Sequence, residues 1–307
     1  MPIHLTQQET DAIYLEDLIE WLSTQRFDLS QSEEFLEAAC MLKRLSNNRE
    51  FLADRALAEL KEGYTDDASI FIYSAQVMML YSSIGKETDF AIRANFWPSL
   101  KDQQIRAAGT GPFFYHRPHD HNFNFLTVGY HGPGYWSNYY EYNHKEVAGY
   151  PEEPVPSLKF IEKKALPQGH MMLYRASVDV HDQLPADEMS ISLNILEHTP
   201  RTSLVNQYAF NLEERTIKQI INTTLAPCIF NIAAMVGGEN GIDTLQELSK
   251  SAKNPLMRFS AHKALASIHT GKEEYCTQME KATHDEDRLV HEWARLHINT
   301  IHETLAE

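Results

Sequence analysis

The sequence has little cysteine. Cys40, Cys228 and Cys276 are far apart and odd in number, and no CxxC occurs. That excludes a disulfide framework and suits a reducing cytoplasm. Long apolar runs are also missing. The stretch from Leu225 to Val236 is too short to cross a bilayer and carries Asn231. The opening MPIHLTQQET lacks the basic-then-apolar pattern of a secretory signal, so a cytoplasmic protein is expected. Cationic residues are scarce as well. Lys and Arg number 27 against 43 Asp and Glu, a net charge of −16. A surface that negative repels phosphate backbones and anionic lipid, which argues against nucleic acid or a membrane as a general partner. No low-complexity segment and no long disordered linker is visible.

What is present is a globular composition with three textures. The apolar share of 43% over 307 residues is enough for a sizeable core. Residues 1–65 read as helical. ETDAIYLEDLIEWL lacks turn signals, and Phe35, Ala38, Ala39, Leu42 and Leu45 recur at helical spacing. Residues 66–210 carry short aromatic and β-branched runs broken by Gly, Pro and Asn. Among them are SIFIYSAQ, DFAIRANFW, GPFFYHR, NFNFLTVGYH, YWSNYYEY, LKFIEKK and MSISLNIL. Such runs at close intervals predict an all-β sandwich or barrel. HGPGY at 131–135 predicts a hairpin turn between two of them. Residues 211–307 return to helix. Asn254-Pro255 opens one helix, which Gly271 is expected to end, and the helices that follow suggest hairpins similar to HEAT-type repeats. The fold class is therefore α+β, a mainly β core flanked by two helical regions.

The chemistry concentrates at YHRPHDHNFNF, residues 115–125. On a strand, residues i and i+2 share a face, so His119 and His121 sit roughly 7 Å apart along the chain and can converge on one ion. Phe123 and Phe125 would continue that face as aromatic walls. A third ligand is required, and the best candidate is His181, which follows the turn Pro167-Gln168-Gly169. His116 fits poorly because its spacing to His119 is i+3. His131 and His170 lie at or beside turns and read as surface residues.

H-x-H entering a strand, and P-x-G followed some residues later by a His, together resemble the two motifs of the cupin family. The resemblance covers roughly residues 70–200 and implies a double-stranded jelly-roll barrel with a metal inside. The carboxylate that usually follows the second His is missing here, since the chain reads Asn122, Phe123, Asn124, Phe125. That implies a three-His centre similar to the thiol dioxygenases, of which cysteine dioxygenase is the best known. The resemblance also implies an Arg that grips the substrate carboxylate, and Arg93 in DFAIRANFW occupies a comparable place. Asn194 and Leu196 stand where the cysteine enzymes carry His and Tyr, and the Cys of their crosslink is absent, so cysteine itself is not the expected substrate.

Imidazole alone does not choose a metal. The resemblance implies Fe(II), with Zn, Mn or Ni as alternatives. The expected function is a non-haem Fe(II) oxygenase acting with O2 on an amino-acid-like, thiol or peptide-borne substrate. Arg93, Tyr140 and Tyr174 are the expected catalytic residues, and Phe123 and Phe125 the pocket walls. Two other functions fit the sequence: a 2-oxoglutarate-dependent oxygenase of the same barrel class, or a metal-stabilised binding or scaffold protein. A homodimer is possible.

Overall fold

The structure is a computed structural model that describes residues 2–24, 29, 32–62, 74–83, 90–197, 202, 204–222 and 226–303. It divides into two compact units, Met1–Tyr142 with Leu158–Thr199, and Asn143–Ser157 with Pro200–Glu307. The boundary expected near 65 lies outside the described residues, as does the first part of SIFIYSAQ. The N-terminal helices share one unit with the sheets. The boundary expected at 210 falls inside a strand of the second unit.

The first unit begins with a short strand β1 (Ile3–Leu5) and helices α1 (Leu15–Thr24), α2 (Ser32–Asn47) and α3 (Phe51–Glu62). Next come β2 (Val77–Ser82), β3 (Phe90–Trp97), a short helix α4 (Gln103–Ala108), β4 (Phe125–His131) and β5 (Trp136–Glu141). After the excursion into the second unit the chain returns as β6 (Lys159–Ala165), β7 (Met171–Tyr174), β8 (Asp179–Leu184) and β9 (Ser190–Glu197).

Six of these strands form one sheet, in the order β1-β7-β4-β9-β3-β2, and β6-β5-β8 form a second. The strand pairs are antiparallel. The expected barrel is thus a sandwich of two separate sheets. The GPFFYHR run is not a strand, because Gly111–Phe113 forms a 3-10 turn with Pro112 near its start.

Period-two alternation sets the faces of the larger sheet. Ile92, Ala94, Leu126, Val128, Leu193 and Ile195 are buried together with Leu18, Leu22, Leu42 and Leu45 of the helices. The helices are therefore a third layer covering one face. Each such leucine contributes about 2 kcal/mol by its burial. The alternate residues Trp97, Phe125, Met172 and Tyr174 pack against Tyr139 of the smaller sheet and against Tyr135 and Leu166, which flank its strands.

HGPGY does not make a hairpin, since β4 pairs with β7 and β9 while β5 pairs with β6 and β8. It carries the chain from one sheet to the other. Gly134 has φ +87°, and a Cβ there would lie 2.1 Å from the Leu166 carbonyl oxygen. The close approach and the left-handed backbone together demand glycine.

Among the described residues the second unit contains a hairpin, β10 (Tyr208–Asn211) and β11 (Thr216–Ile220), and five α-helices. These are α5 (Ala226–Val236), α6 (Gly238–Ser251), α7 (Pro255–Ser267), α8 (Lys272–Ala282) and α9 (Arg288–Glu303), each packed on the next. Asn254 caps α7 by accepting from the Met257 amide at 3.2 Å. Gly271 caps the start of α8; α7 ends earlier, at Ser267. In the 143–157 segment Glu153 is fully buried. Its carboxylate accepts from the Ala148 and Gly149 amides and from Arg288. Among the described residues no helix is long and apolar enough to cross a membrane.

Candidate metal centre

His119 and His121 do not lie within a strand. Phe114 and His116 adopt positive φ, which turns the chain, and Pro118 leads into an extended segment. That segment docks on β8 through one reciprocal pair. The His119 amide donates to the His181 carbonyl at 3.1 Å, and the His181 amide donates to the His119 carbonyl at 3.0 Å. On the other side of β8, His181 lies opposite Tyr139 of β5. Residues directly opposite in antiparallel pairing point to the same face. His119, His181 and Tyr139 therefore share the inner face of the sandwich, and His121, two residues on, joins them. Asp120, between His119 and His121, points the other way and accepts from the Tyr142 hydroxyl at 2.6 Å.

The three imidazoles present nitrogens that all lie within 4.8 Å of one another. His181 Nε2 is 3.2 Å from His119 Nε2 and 3.1 Å from His121 Nε2. Two ligands about 2.1 Å from one metal are separated by about 3.0 Å at a right angle and about 3.4 Å at a tetrahedral angle. Both observed spacings fall between those values.

Protons alone satisfy this cluster poorly. His119 Nδ1 lies 2.7 Å from the Arg117 carbonyl oxygen, to which it can only donate. In neutral His119 this leaves Nε2 a bare lone pair. His181 Nε2 has either one proton or one lone pair, so it serves both neighbours only through one shared, weakened bond. A cation accepting three lone pairs resolves the conflict. The residues present thus fit a metal ion held by His119, His121 and His181.

Burial is the main electrostatic cause that keeps all three neutral. It brings the His119 pKa down to about 4, and the nearby Arg117 and Arg93 charges push the same way against the Arg117 carbonyl bond. His121 and His181 are held well below the usual histidine range by burial, by neighbouring imidazoles and by Arg93. Neutral imidazole is the form that ligates.

Arg93 lies on β3 opposite Asn194 of β9, which in turn lies opposite Thr127 of β4. Alternation turns Arg93 away from the helix-covered face, and its charge acts on all three imidazoles and on Tyr135. Its Nε is buried and makes no hydrogen bond to the protein. Burial lowers its pKa to about 10, so it stays a cation at neutral pH.

Phe125 stacks on Tyr174 at 4.3 Å, and its ring is 4.8 Å from His121. Phe123 lies 5.0 Å from His121, half-buried. Tyr174 is 5.1 Å from the His181 ring, and its hydroxyl meets that of Tyr139 at 3.2 Å.

Tyr140 is a correction. It faces away from the imidazoles, opposite Val180, with its ring 5.4 Å from that of the exposed Phe160. Its neighbours Tyr139 and Tyr135 take the inner positions instead. Both are buried, and Tyr135 stacks on Trp97 at 3.7 Å. The signal that could have found Tyr139 is its register with His181, which is not local in sequence.

His116 and His131 are exposed, as expected for residues outside the cluster. His170 is half-buried and bonds the His4 ring at 2.8 Å, beside a β1 that sequence reasoning missed.

No protein-family model matches the sequence, and no curated protein does. Three solved structures illustrate what the chain is similar to in shape. The DMSP lyase DddQ of Ruegeria pomeroyi matches at TM-score 0.28 and 11% identity, over 65% of this chain and 80% of that one. A structure from the DMSP lyases RdDddP and RnDddQII matches at TM-score 0.24 and 11% identity, over 40% and 47%. The Escherichia coli ribosomal oxygenase YcfD matches at TM-score 0.22 and 11% identity, over 66% and 44%. This chain spans about half the length of the latter two. Likenesses at these TM-scores assign neither a family nor a chemistry.

Proposed function

We propose that this protein is a non-haem Fe(II) oxygenase whose metal is held by His119, His121 and His181. The observation that carries the reading is the convergence of two imidazole nitrogens on His181 Nε2, at 3.1 and 3.2 Å, which one proton or lone pair serves poorly and a cation serves well. Bound Fe(II) would supply open positions for dioxygen and substrate and pass electrons between them.

The chain's own residues do the rest. Arg93, a cation with a buried guanidinium nitrogen free of protein partners, binds the carboxylate of a small-molecule substrate. Burial pushes Tyr135 up to about 12 and raises Tyr174 and Tyr139 well above the usual tyrosine range, so their hydroxyls stay protonated. They orient substrate as hydrogen-bond donors and do not act as bases at neutral pH. Phe123, Phe125 and Trp97 screen the interior from water.

The test is elemental analysis of purified protein, with an electron paramagnetic resonance spectrum of its nitrosyl adduct. About one iron per chain is expected, with the nitrosyl signal and the metal both lost in His181→Ala. Zinc, manganese or nickel alone, from cells grown with ample iron, would overturn the assignment of iron. A full metal complement in His181→Ala would overturn the centre itself.

A further inference from the structure

The interior between the two sheets is unusually polar. Beside Arg93 Nε, Asn95 Oδ1, Thr127 Oγ1, Gln183 Oε1 and His181 Nδ1 are buried there without a hydrogen bond to the protein, and the Ser137 hydroxyl acts on the Tyr139 hydroxyl. Asn95, Thr127, Ser137 and Gln183 are all more than nine-tenths buried. The registers put them on the inner faces. Asn95 lies two residues from Arg93 on β3. Thr127 faces Asn194, which is opposite Arg93. Ser137 lies opposite Gln183, two residues along from the Tyr139–His181 pair.

A buried polar atom left without a partner costs about 1–3 kcal/mol, so a group of them in one place points to a ligand that satisfies them. Their chemistry restricts it. Asn95 and Gln183 offer amide oxygens, which accept only, so the ligand must bring hydrogens of its own. Thr127 and Ser137 can either donate or accept.

The charges restrict it further. Arg93 is a cation, and among the described residues no inner-face carboxylate is left to balance a second one, since Asp182, with its buried unpartnered Oδ1, faces the other way beside Asn138. Asp179 and Glu141 are both held by Arg175, Glu197 bonds Asn124, and Asp120 bonds Tyr142. An ammonium buried beside Arg93 would be an uncompensated charge.

We infer that the site takes a small carboxylate bearing neutral hydrogen-bond donors, a hydroxy acid or an amide acid, and discriminates against the α-ammonium of an amino acid. The geometry that carries this is the row Arg93–Asn194–Thr127 on one sheet facing Ser137 and Gln183 on the other. The inference rests on the proposed function for the place of binding, and its test does not depend on the metal.

The probes are lactate, alanine and propionate, which share one skeleton and differ in a hydroxyl, an ammonium or neither. Binding is measured by calorimetry on the full chain, both iron-loaded and after chelation. Lactate is expected to bind at least about tenfold more tightly than either of the others in both forms. Gln183→Glu introduces a carboxylate with almost no change of shape and should reverse the order, so that alanine binds more tightly than lactate. Asn95→Asp serves as the second variant, should Gln183→Glu fail to fold.

Alanine binding as tightly as lactate in the unaltered protein would overturn the inference. So would failure of lactate to saturate the site, an advantage of lactate seen only with iron present, or an order unmoved in a folded carboxylate variant. A lactate preference in protein that takes up no iron on loading would uphold it while refuting the iron centre.

Discussion

Three histidines buried in their neutral form make the metal-free protein sensitive to mild acid, by an amount the structure sets. The unfolded chain takes up a proton at each ring as pH falls through about 6.5. The folded chain does not, because burial holds His119 at about 4 and the other two well below the usual value. The folded pKa is the lower one, so stability is undiminished above about 6.5. It falls as pH drops and stops falling once the folded rings also protonate. For His119 the window from 6.5 to about 4 corresponds to about 3 kcal/mol.

Between about pH 6 and pH 5 each ring contributes a slope of about 1.2 kcal/mol per pH unit. His181→Gln deletes one ring, so its slope should be shallower by that amount. Urea unfolding of chelated protein at several pH values, wild type against His181→Gln, measures the difference, and carboxylate titrations common to both cancel. Equal slopes would refute the reasoning, because His181 would then titrate alike in both states.

Three further outcomes follow from named contacts. Tyr139→Phe should lower turnover or substrate affinity about tenfold or more, whereas Tyr140→Phe should leave both within about twofold, since Tyr139 reaches the Tyr174 hydroxyl and Tyr140 faces away; steady-state kinetics on one substrate decides. Leu42→Ala should cost about 3 kcal/mol in denaturant unfolding, because Leu42 is fully buried between α2 and the larger sheet; a loss under about 1 kcal/mol would mean that the helices do not cover it. Gly134→Ala should be destabilising by several kcal/mol, since its Cβ would overlap the Leu166 carbonyl; an unchanged melting temperature would contradict the sheet crossing.

Much of the site was legible because its signals are local. H-x-H, the Pro167-Gly169 turn and an Arg on an aromatic-rich run each lie within a few residues, and the structure brings His119, His121, His181 and Arg93 within electrostatic reach of one another. The inner and outer tyrosines were not legible. In NYYE the two rings are adjacent, both aromatic and both acceptable to a strand, and a shift of one residue exchanges their faces. Only pairing with β8, some forty residues away, puts Tyr139 inside and Tyr140 outside. HGPGY shows the same limit, because a two-glycine turn looks alike whether it joins partners in one sheet or passes between two.

By itself the sequence singled out the three histidines that cluster, the excess of acidic residues and the alternation of helical and β texture, all of which are properties of residue type and short spacing. Tertiary structure alone decided that three Nε2 atoms meet at one point, that the N-terminal helices form a covering layer, and that unpaired amide and hydroxyl groups gather beside Arg93. Those are matters of which strands lie next to each other. Strand pairing is fixed by burial summed over the whole chain, and no window of sequence contains it.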